Sequence, residues 1–433
     1  MKPHEPEIAI LHGVNVVNAG DLGIIHATVQ RLRQEMPSGK ISIISPFVGY
    51  KNAWAEKHKH ARTVDVTTWG AEEVPDFYRV PISGFANKAK FVLQFIFLTL
   101  LAEIDTRFFR KAISKRHSKL KHYATADIFV SKGGGFLHDH TGTSSIPPHL
   151  FSMLLALRFR KPLVIYAQSI GPFNGRLGAW VTRYVLNRAS LLLIREKVSI
   201  DYMQKTLGVS NPNLIETADE AFMLEPASNE RVQQILSAEG VSSEKTLVGV
   251  AVCNWGFPNS GDPAADKKRY IRETASAIDQ LVAHHSADVL IASHVEIDGV
   301  IDDRAIAKKV YELVKEKARV HVLGTYDDAE IKGIWGNCDL FVGTRMHSNI
   351  FALASGVPTI AISYLHKTTG IMKGLGLSEW VLEIDNFTAQ EIVGKADLIL
   401  NQGLLTKDTV NEKVERIRNI AHNNAVLVRE LLG

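Results

Sequence analysis

Cysteine is almost absent: Cys253 and Cys338 are the only two in 433 residues. That count excludes a disulfide framework and a cysteine-built zinc site, and both thiols are expected reduced and buried in apolar strands. The spaced-glycine dinucleotide fingerprint and the P-loop lysine motif are both missing, so the common cradles for NAD and nucleoside triphosphates are not present. The chain has no low-complexity tract and no short-period repeat. Its start, MKPHEPEIAILHG, has no apolar stretch of export-signal length. A reducing cytoplasm is therefore the expected location, either free or on the inner face of a membrane. The apolar run Phe91–Ala102 falls short of the about 20 residues that a bilayer crossing takes. A net charge of +4 is too small to argue for nucleic acid. What remains, 45% hydrophobic and 22% charged, is an ordinary globular composition, long enough for two domains.

Short continuous apolar runs recur through the first half: Ile8–Leu11, Ile41–Ile44, Ile128–Val130, Leu163–Tyr166 and Leu191–Ile194. Strands of that kind have both sheet faces covered, and alternation with helical patterns implies parallel pairing through right-handed crossovers. Polarity rises over 225–245, and the pattern then restarts with Thr246–Cys253, Val289–Ser293, Val320–Leu323, Leu340–Val342 and Thr359–Tyr364. The expected architecture is α/β, two doubly wound Rossmann-like domains facing a cleft, 1–235 and 236–433, with an amphipathic helix over Thr406–Leu432 packed on one of them. The run Phe91–Ala102 is flanked by Lys88, Lys90 and a basic stretch to Lys121. It reads either as a buried helix with a solvated basic continuation or as an interfacial element on an anionic membrane.

Gly343–Gly376 carries the densest chemistry. After the strand Leu340–Val342, Thr344 is expected to cap a helix whose first turn holds Arg345 and His347. The helix stops at Gly356 and Pro358, and Lys367 lies just past the next strand. An arginine, a histidine and a lysine thus reach one rim, beside helix N-termini, where an anion carrying phosphate or carboxylate fits. Elsewhere Asn18, Gly20 and Asp21 form the first strand-to-helix turn, and Asp21 either meets a sugar or caps the helix. Gly133, Gly134 and Gly135 follow a strand and suit a tight turn or close approach to a ligand. His138, Asp139 and His140 read as metal ligands or, far more commonly, as polar surface groups. Arg195 ends a strand and either clamps an anion or pairs with Glu196. Asp219 orients Arg195, meets a sugar or caps a turn. His294 precedes Asp298, Asp302 and Asp303, which read as acceptor contacts or, for the last two, as a solvated acidic loop.

The motifs NAGD, KGGGFLHD, QSIGPF, IREKVS, TADEAF, GTRMHSNIFALASGVPTIAISY and the HKTTG loop resemble those of the polysaccharide pyruvyl transferases, in register from about Gly13 to Leu377. The resemblance implies a GT-B-like fold. It also implies transfer of the pyruvyl group of phosphoenolpyruvate to a sugar of a bacterial exopolysaccharide or cell-wall glycan precursor, often lipid-linked, with a cyclic ketal formed and phosphate released. Arg195, His347 and Lys367 match the family's essential residues. Arg195, Thr344, Arg345, His347 and Lys367 are then the expected donor contacts. The acceptor surface varies with the sugar and is not carried over; from the residue readings above, Asn18, Asp21, Gly133, Gly134, Gly135, Asp219 and His294 are the expected acceptor contacts. The first domain takes the acceptor side and the second the donor side. Phosphoenolpyruvate is a co-substrate, and the scheme needs no cofactor or metal. A nucleotide-sugar glycosyltransferase of the same shape and an inactive glycan-binding subunit are the rival readings.

Overall fold

The computed structural model describes residues 5–14, 16–47, 64–78, 84–139, 148–241, 245–297 and 301–433. The first sheet holds β1 (Glu7–Leu11), β2 (Lys40–Ser45), β3 (Ala71–Pro75), β4 (Ile128–Ser131), β5 (Gly134–Asp139), β6 (Leu163–Phe173), β7 (Leu191–Ile194) and β8 (Leu214–Glu216). Its order is β3-β2-β1-β4-β6-β7-β8, with β5 laid against β6 and every pairing parallel. Side chains alternate across it: Ile8 and Ile10 enter one core, Ala9 and Leu11 the other. Helices therefore cover both faces.

The second sheet is built from β9 (Leu247–Ala251) and β10 (Asp288–Ala292), then, after a small hairpin of β11 (Glu296–Ile297) and β12 (Ile301–Asp302), β13 (Val320–Val322), β14 (Leu340–Gly343), β15 (Thr359–Ser363) and β16 (Val381–Glu383). The order β13-β10-β9-β14-β15-β16 reverses direction between β9 and β14, as the first sheet does between β1 and β4. In doubly wound sheets the crevice for a ligand opens at that reversal, beyond the carboxyl ends of the strands.

Two helices tie the sheets together. The helix Ala19–Glu35 is N-capped by Asn18, which accepts from the Gly20 and Asp21 N–H groups. Leu22, Ile25, Val29 and Leu32 on it face the first core, while Ala19, Ile24 and Ala27 join the second. The terminal helix Lys407–Glu430, capped by Thr406, puts Val410 and Val414 in the second core and Ala425 and Val428 in the first. It therefore spans both domains, where the sequence pattern suggested packing on one. The helix Asn229–Ala238 gives Val232, Ile235 and Leu236 to the second core.

The apolar run is part of a longer helix, Phe85–Phe108, of 24 residues, twice the length of the run itself. By length and composition it meets what a bilayer crossing takes. It is not the buried helix of the first reading: among its residues only Leu98, Ala102 and Asp105 are buried. Both cysteines are buried as expected, but beside strands rather than in them, Cys253 past β9 and Cys338 ahead of β14.

Candidate active site

A cavity of about 320 Å³ opens between the sheets at the carboxyl ends of their strands. The first domain lines it with Asn18, Asp21, Gly135, Phe136, His138 and Arg195. The second supplies His294, Arg345, His347, Tyr364 and Lys367. Larger hollows of about 530 and 450 Å³ lie at Tyr311 and at Lys332, but neither gathers such a set of charged groups from both domains.

Arg195 follows β7, and its side chain is 3% exposed. Its Nε donates to Ser169 Oγ at 2.8 Å and to Glu196 Oε1 at 3.3 Å, and its Nη1 donates to Asp219 Oδ2. The remaining nitrogen, Nη2, is turned toward Gly135. A Cβ built on Gly135 would lie 3.5 Å from Arg195 Nη2 and 2.5 Å from Lys367 Nζ. Two cations from different domains therefore converge over bare backbone. Burial and the neighbouring Arg195 charge lower the Lys367 pKa, against the pull of Glu196, Asp21 and Asp219.

Asp219 organises this wall from behind. Burial alone would push its carboxyl up, but Arg195, His347 and the Ala221 N–H hold it well below the usual range. Its Oδ1 accepts from Ala221 N at 3.0 Å, capping the short 3-10 turn Glu220–Met223. Asp219 is therefore a buried support and not an acceptor contact. His347 comes from the second domain, its Nε2 3.6 Å from Asp219 Oδ2. That buried nitrogen makes no hydrogen bond among the described residues. The ring also occupies the space where a Cβ on Gly20 would sit. Glycine in the NAGD turn thus admits the opposing histidine.

Arg345 reaches the cavity with its guanidinium already paired. Its Nε and Nη2 donate to Asp303 at 2.9 and 2.7 Å, and Asp303 is fully buried. Asp303 also accepts from the Asn254 and Val295 N–H groups at 2.7 and 3.0 Å. The solvated acidic loop expected here is thus, at Asp303, a buried anchor, because an arginine 42 residues away supplies the countercharge. Asp302 caps the following helix and pairs with Arg304. Asp298 and His140 lie outside the described residues.

Thr344 is not the helix cap. Arg345 takes that position, and Thr344 is buried against Tyr270, hydroxyl to hydroxyl at 2.9 Å, off the cavity. The helices Met346–Ala354 and His366–Gly374 both begin at the cleft, and neither has a side-chain cap. Their first N–H groups are thus available to an anion. Of the three glycines, only Gly135 lines the cavity; a Cβ at Gly133 would meet Ile24 and the Ala167 carbonyl, and Gly134 starts β5. Asn18 caps its helix and also donates to Asp21 Oδ2 at 3.1 Å. His294 is buried, its Nε2 accepting from Trp335 Nε1 at 3.1 Å. Burial pushes the Cys253 thiol up to about 12, so it is no nucleophile. Among the described residues no group of three His, Cys, Asp or Glu side chains is placed to hold a metal ion.

Several site residues escaped the sequence reading. Phe136 stacks on His149 at 4.4 Å and forms the wall on the first-domain side; Ser169 holds Arg195; Tyr364 lies 3.4 Å from Arg345 Nη1. Phe136 and Ser169 sit inside the quoted KGGGFLHD and QSIGPF motifs, so their proximity to strand ends was the available signal.

The chain matches the model of the family described as polysaccharide pyruvyl transferase over residues 18–366. Amylovoran biosynthesis protein AmsJ from Erwinia amylovora is 27% identical over 318 residues, 73% of this chain and 74% of that protein. A putative UDP-N-acetylglucosamine 2-epimerase from Listeria monocytogenes superposes over 98% of this chain and 95% of its own, with TM-score 0.60 and 11% identity. A glycosyltransferase from Rickettsia africae covers 99% of both chains with TM-score 0.58 and 11% identity. At that identity the structural likenesses carry the fold alone, two facing Rossmann-like domains of the GT-B kind.

Proposed function

Because the chain belongs to the polysaccharide pyruvyl transferase family, and is thus a transferase with a role in polysaccharide modification, we propose that it moves the pyruvyl group of phosphoenolpyruvate onto a sugar and closes a cyclic ketal. The observation that carries this reading is the pair Lys367 Nζ and Arg195 Nη2, which meet over Gly135 next to two helix N-termini without side-chain caps. Such a site matches a small donor with two anionic ends, a phosphate and a carboxylate. Arg345 shapes the wall; its charge is balanced by Asp303.

In this reaction the methylene carbon of the donor takes a proton, which leaves a cation-like centre at the adjacent carbon. A sugar hydroxyl adds there and loses its proton. A second hydroxyl of the same sugar then displaces inorganic phosphate, passing its proton to the departing phosphate, and the ring closes. His347 is the proton carrier, poised opposite Asp219, which stabilises the imidazolium when it forms. Lys367 and Arg195 hold the departing phosphate and lower the barrier by fixed positive charge. Residues from both domains build the site, so closure of the cleft completes it and excludes water.

Incubation with phosphoenolpyruvate and a panel of lipid-linked glycans tests the proposal, with released phosphate and product mass as readouts. Phosphate release tied to a glycan gaining one pyruvate ketal is the expected result. Turnover only with nucleotide sugars, or no binding of phosphoenolpyruvate by calorimetry, overturns it.

A further inference from the structure

The helix Phe85–Phe108 carries two apolar stripes, and the molecule uses one. Phe91, Phe95, Leu98 and Ala102 turn inward and pack on the core that Ala9 and Leu11 enter, on the other face of the first sheet. Phe91 and Phe95 each meet Phe151 of the helix His149–Arg158 at 4.7 Å, ring edge to face. The opposite stripe, Leu93, Phe97, Leu100, Ile104 and Phe108, runs at helical spacing and is exposed, Leu93 by 69% and Phe108 by 71%. Ten of the nineteen large apolar side chains exposed among the described residues fall between Phe85 and Ile113. An apolar surface of this concentration calls for an occupant.

Charge identifies the occupant. Residues 85–121 contain nine lysines and arginines and two acids, an excess of seven against +4 for the whole chain. The remainder of the chain therefore carries a net −3. The acids offset little of it: Asp105 is buried and accepts from the Ile113 and Ser114 N–H groups, while Glu103 is shared among Arg107, Arg158 and Arg160. Lys88 and Lys90 stand at one end of the apolar stripe, and Arg110, Lys115, Arg116 and Lys119 at the other. A second copy of this chain on the same face would set basic ends against basic ends. A bilayer with anionic headgroups meets both features at once, accepting the apolar stripe between acyl chains and the cations at the headgroups.

We infer that the outer face of Phe85–Phe108 docks the protein, without crossing, on the surface of an anionic phospholipid bilayer. The inner face stays packed on the domain. The cleft lies one helix away: Phe151 shares its helix with His149, which stacks on the cavity residue Phe136. Docking thus brings the first-domain wall of the cavity close to the lipid surface. This inference does not depend on the identity of the donor.

Co-sedimentation of the full chain with vesicles tests it. Mixed phosphatidylcholine–phosphatidylglycerol vesicles should pellet the protein, and phosphatidylcholine alone should not. Leu93→Glu with Phe97→Glu should lower the bound fraction about tenfold or more, with an unchanged circular dichroism spectrum and melting temperature. Lys115→Glu with Arg116→Glu should weaken binding to anionic vesicles with the apolar stripe intact, and high salt should do the same to the parent chain. Equal pelleting on both vesicle types, or full binding by the Leu93/Phe97 variant, overturns the inference. So does retention after an alkaline carbonate wash, which marks a crossing helix, or a dimer in sedimentation equilibrium that Phe97→Glu dissolves.

Discussion

In the proposed reaction His347 and Lys367 divide the labour of the cleft, and each makes a distinct prediction. Replacing His347 with alanine removes the imidazole set against Asp219, and turnover should fall roughly a hundredfold or more. Steady-state phosphate release measures that, and a near-parental rate would take the histidine out of the chemistry. In that reaction Lys367 holds the donor's anion only while protonated, and burial beside Arg195 lowers its pKa. Donor affinity should therefore fade with rising pH earlier than for an ordinary lysine, and Lys367→Arg should move that loss to higher pH. Calorimetric titration across an alkaline series reads both. The sequence showed these residues through their positions just past strands, where a parallel sheet presents its ligand-facing side chains. It did not show which neighbours were already partnered. Thr344 looked like a cap and is a buried hydroxyl on Tyr270; Asp303 looked like surface and is the countercharge of Arg345. Such pairings join residues far apart in sequence, and no local pattern encodes them.

At the level of elements, buried polar anchors fix how strands and helices meet. Asp303→Ala strands the Arg345 charge and two backbone N–H groups, and should cost about 3–5 kcal/mol in urea unfolding. The terminal helix docks through Asn424, which donates to Glu220 Oε2 at 2.7 Å, while Tyr166 donates to Oε1 at 3.0 Å. Burial dominates over those bonds and raises the Glu220 pKa from 4.5 to about 7. Between those values the folded chain keeps a proton that the unfolded chain has lost, so this group's contribution to stability falls as pH rises through the window. Glu220→Gln should flatten that slope, and denaturation curves at both ends of the window check it. The continuous apolar strands were legible because both faces of each are covered. Ala71–Pro75, Leu214–Glu216 and Val381–Glu383 were not; they are short, mixed in polarity and stand at sheet edges. Glycine masked β5, whose first two residues are Gly134 and Gly135.

For the whole molecule, the shared helices make the two sheets one cooperative unit. Ala19, Ile24 and Ala27 serve the second core from a helix of the first domain, and Lys407–Glu430 returns from the second domain to the first. Ending the chain at Leu405 should therefore split a single calorimetric transition into two and lower the first, with the truncated protein still helical by circular dichroism. One unchanged transition would show that the terminal helix does not couple the domains. The same return path has a consequence for synthesis. Arg31 Nη2 and His422 Nδ1 sit 2.7 Å apart in the fold but 391 residues apart along the chain. On the ribosome, the flank that receives Ala425 and Val428 must wait, uncovered, while the entire second domain is translated. Until the last turns of helix leave the exit tunnel, the nascent first domain keeps that apolar flank open to solvent.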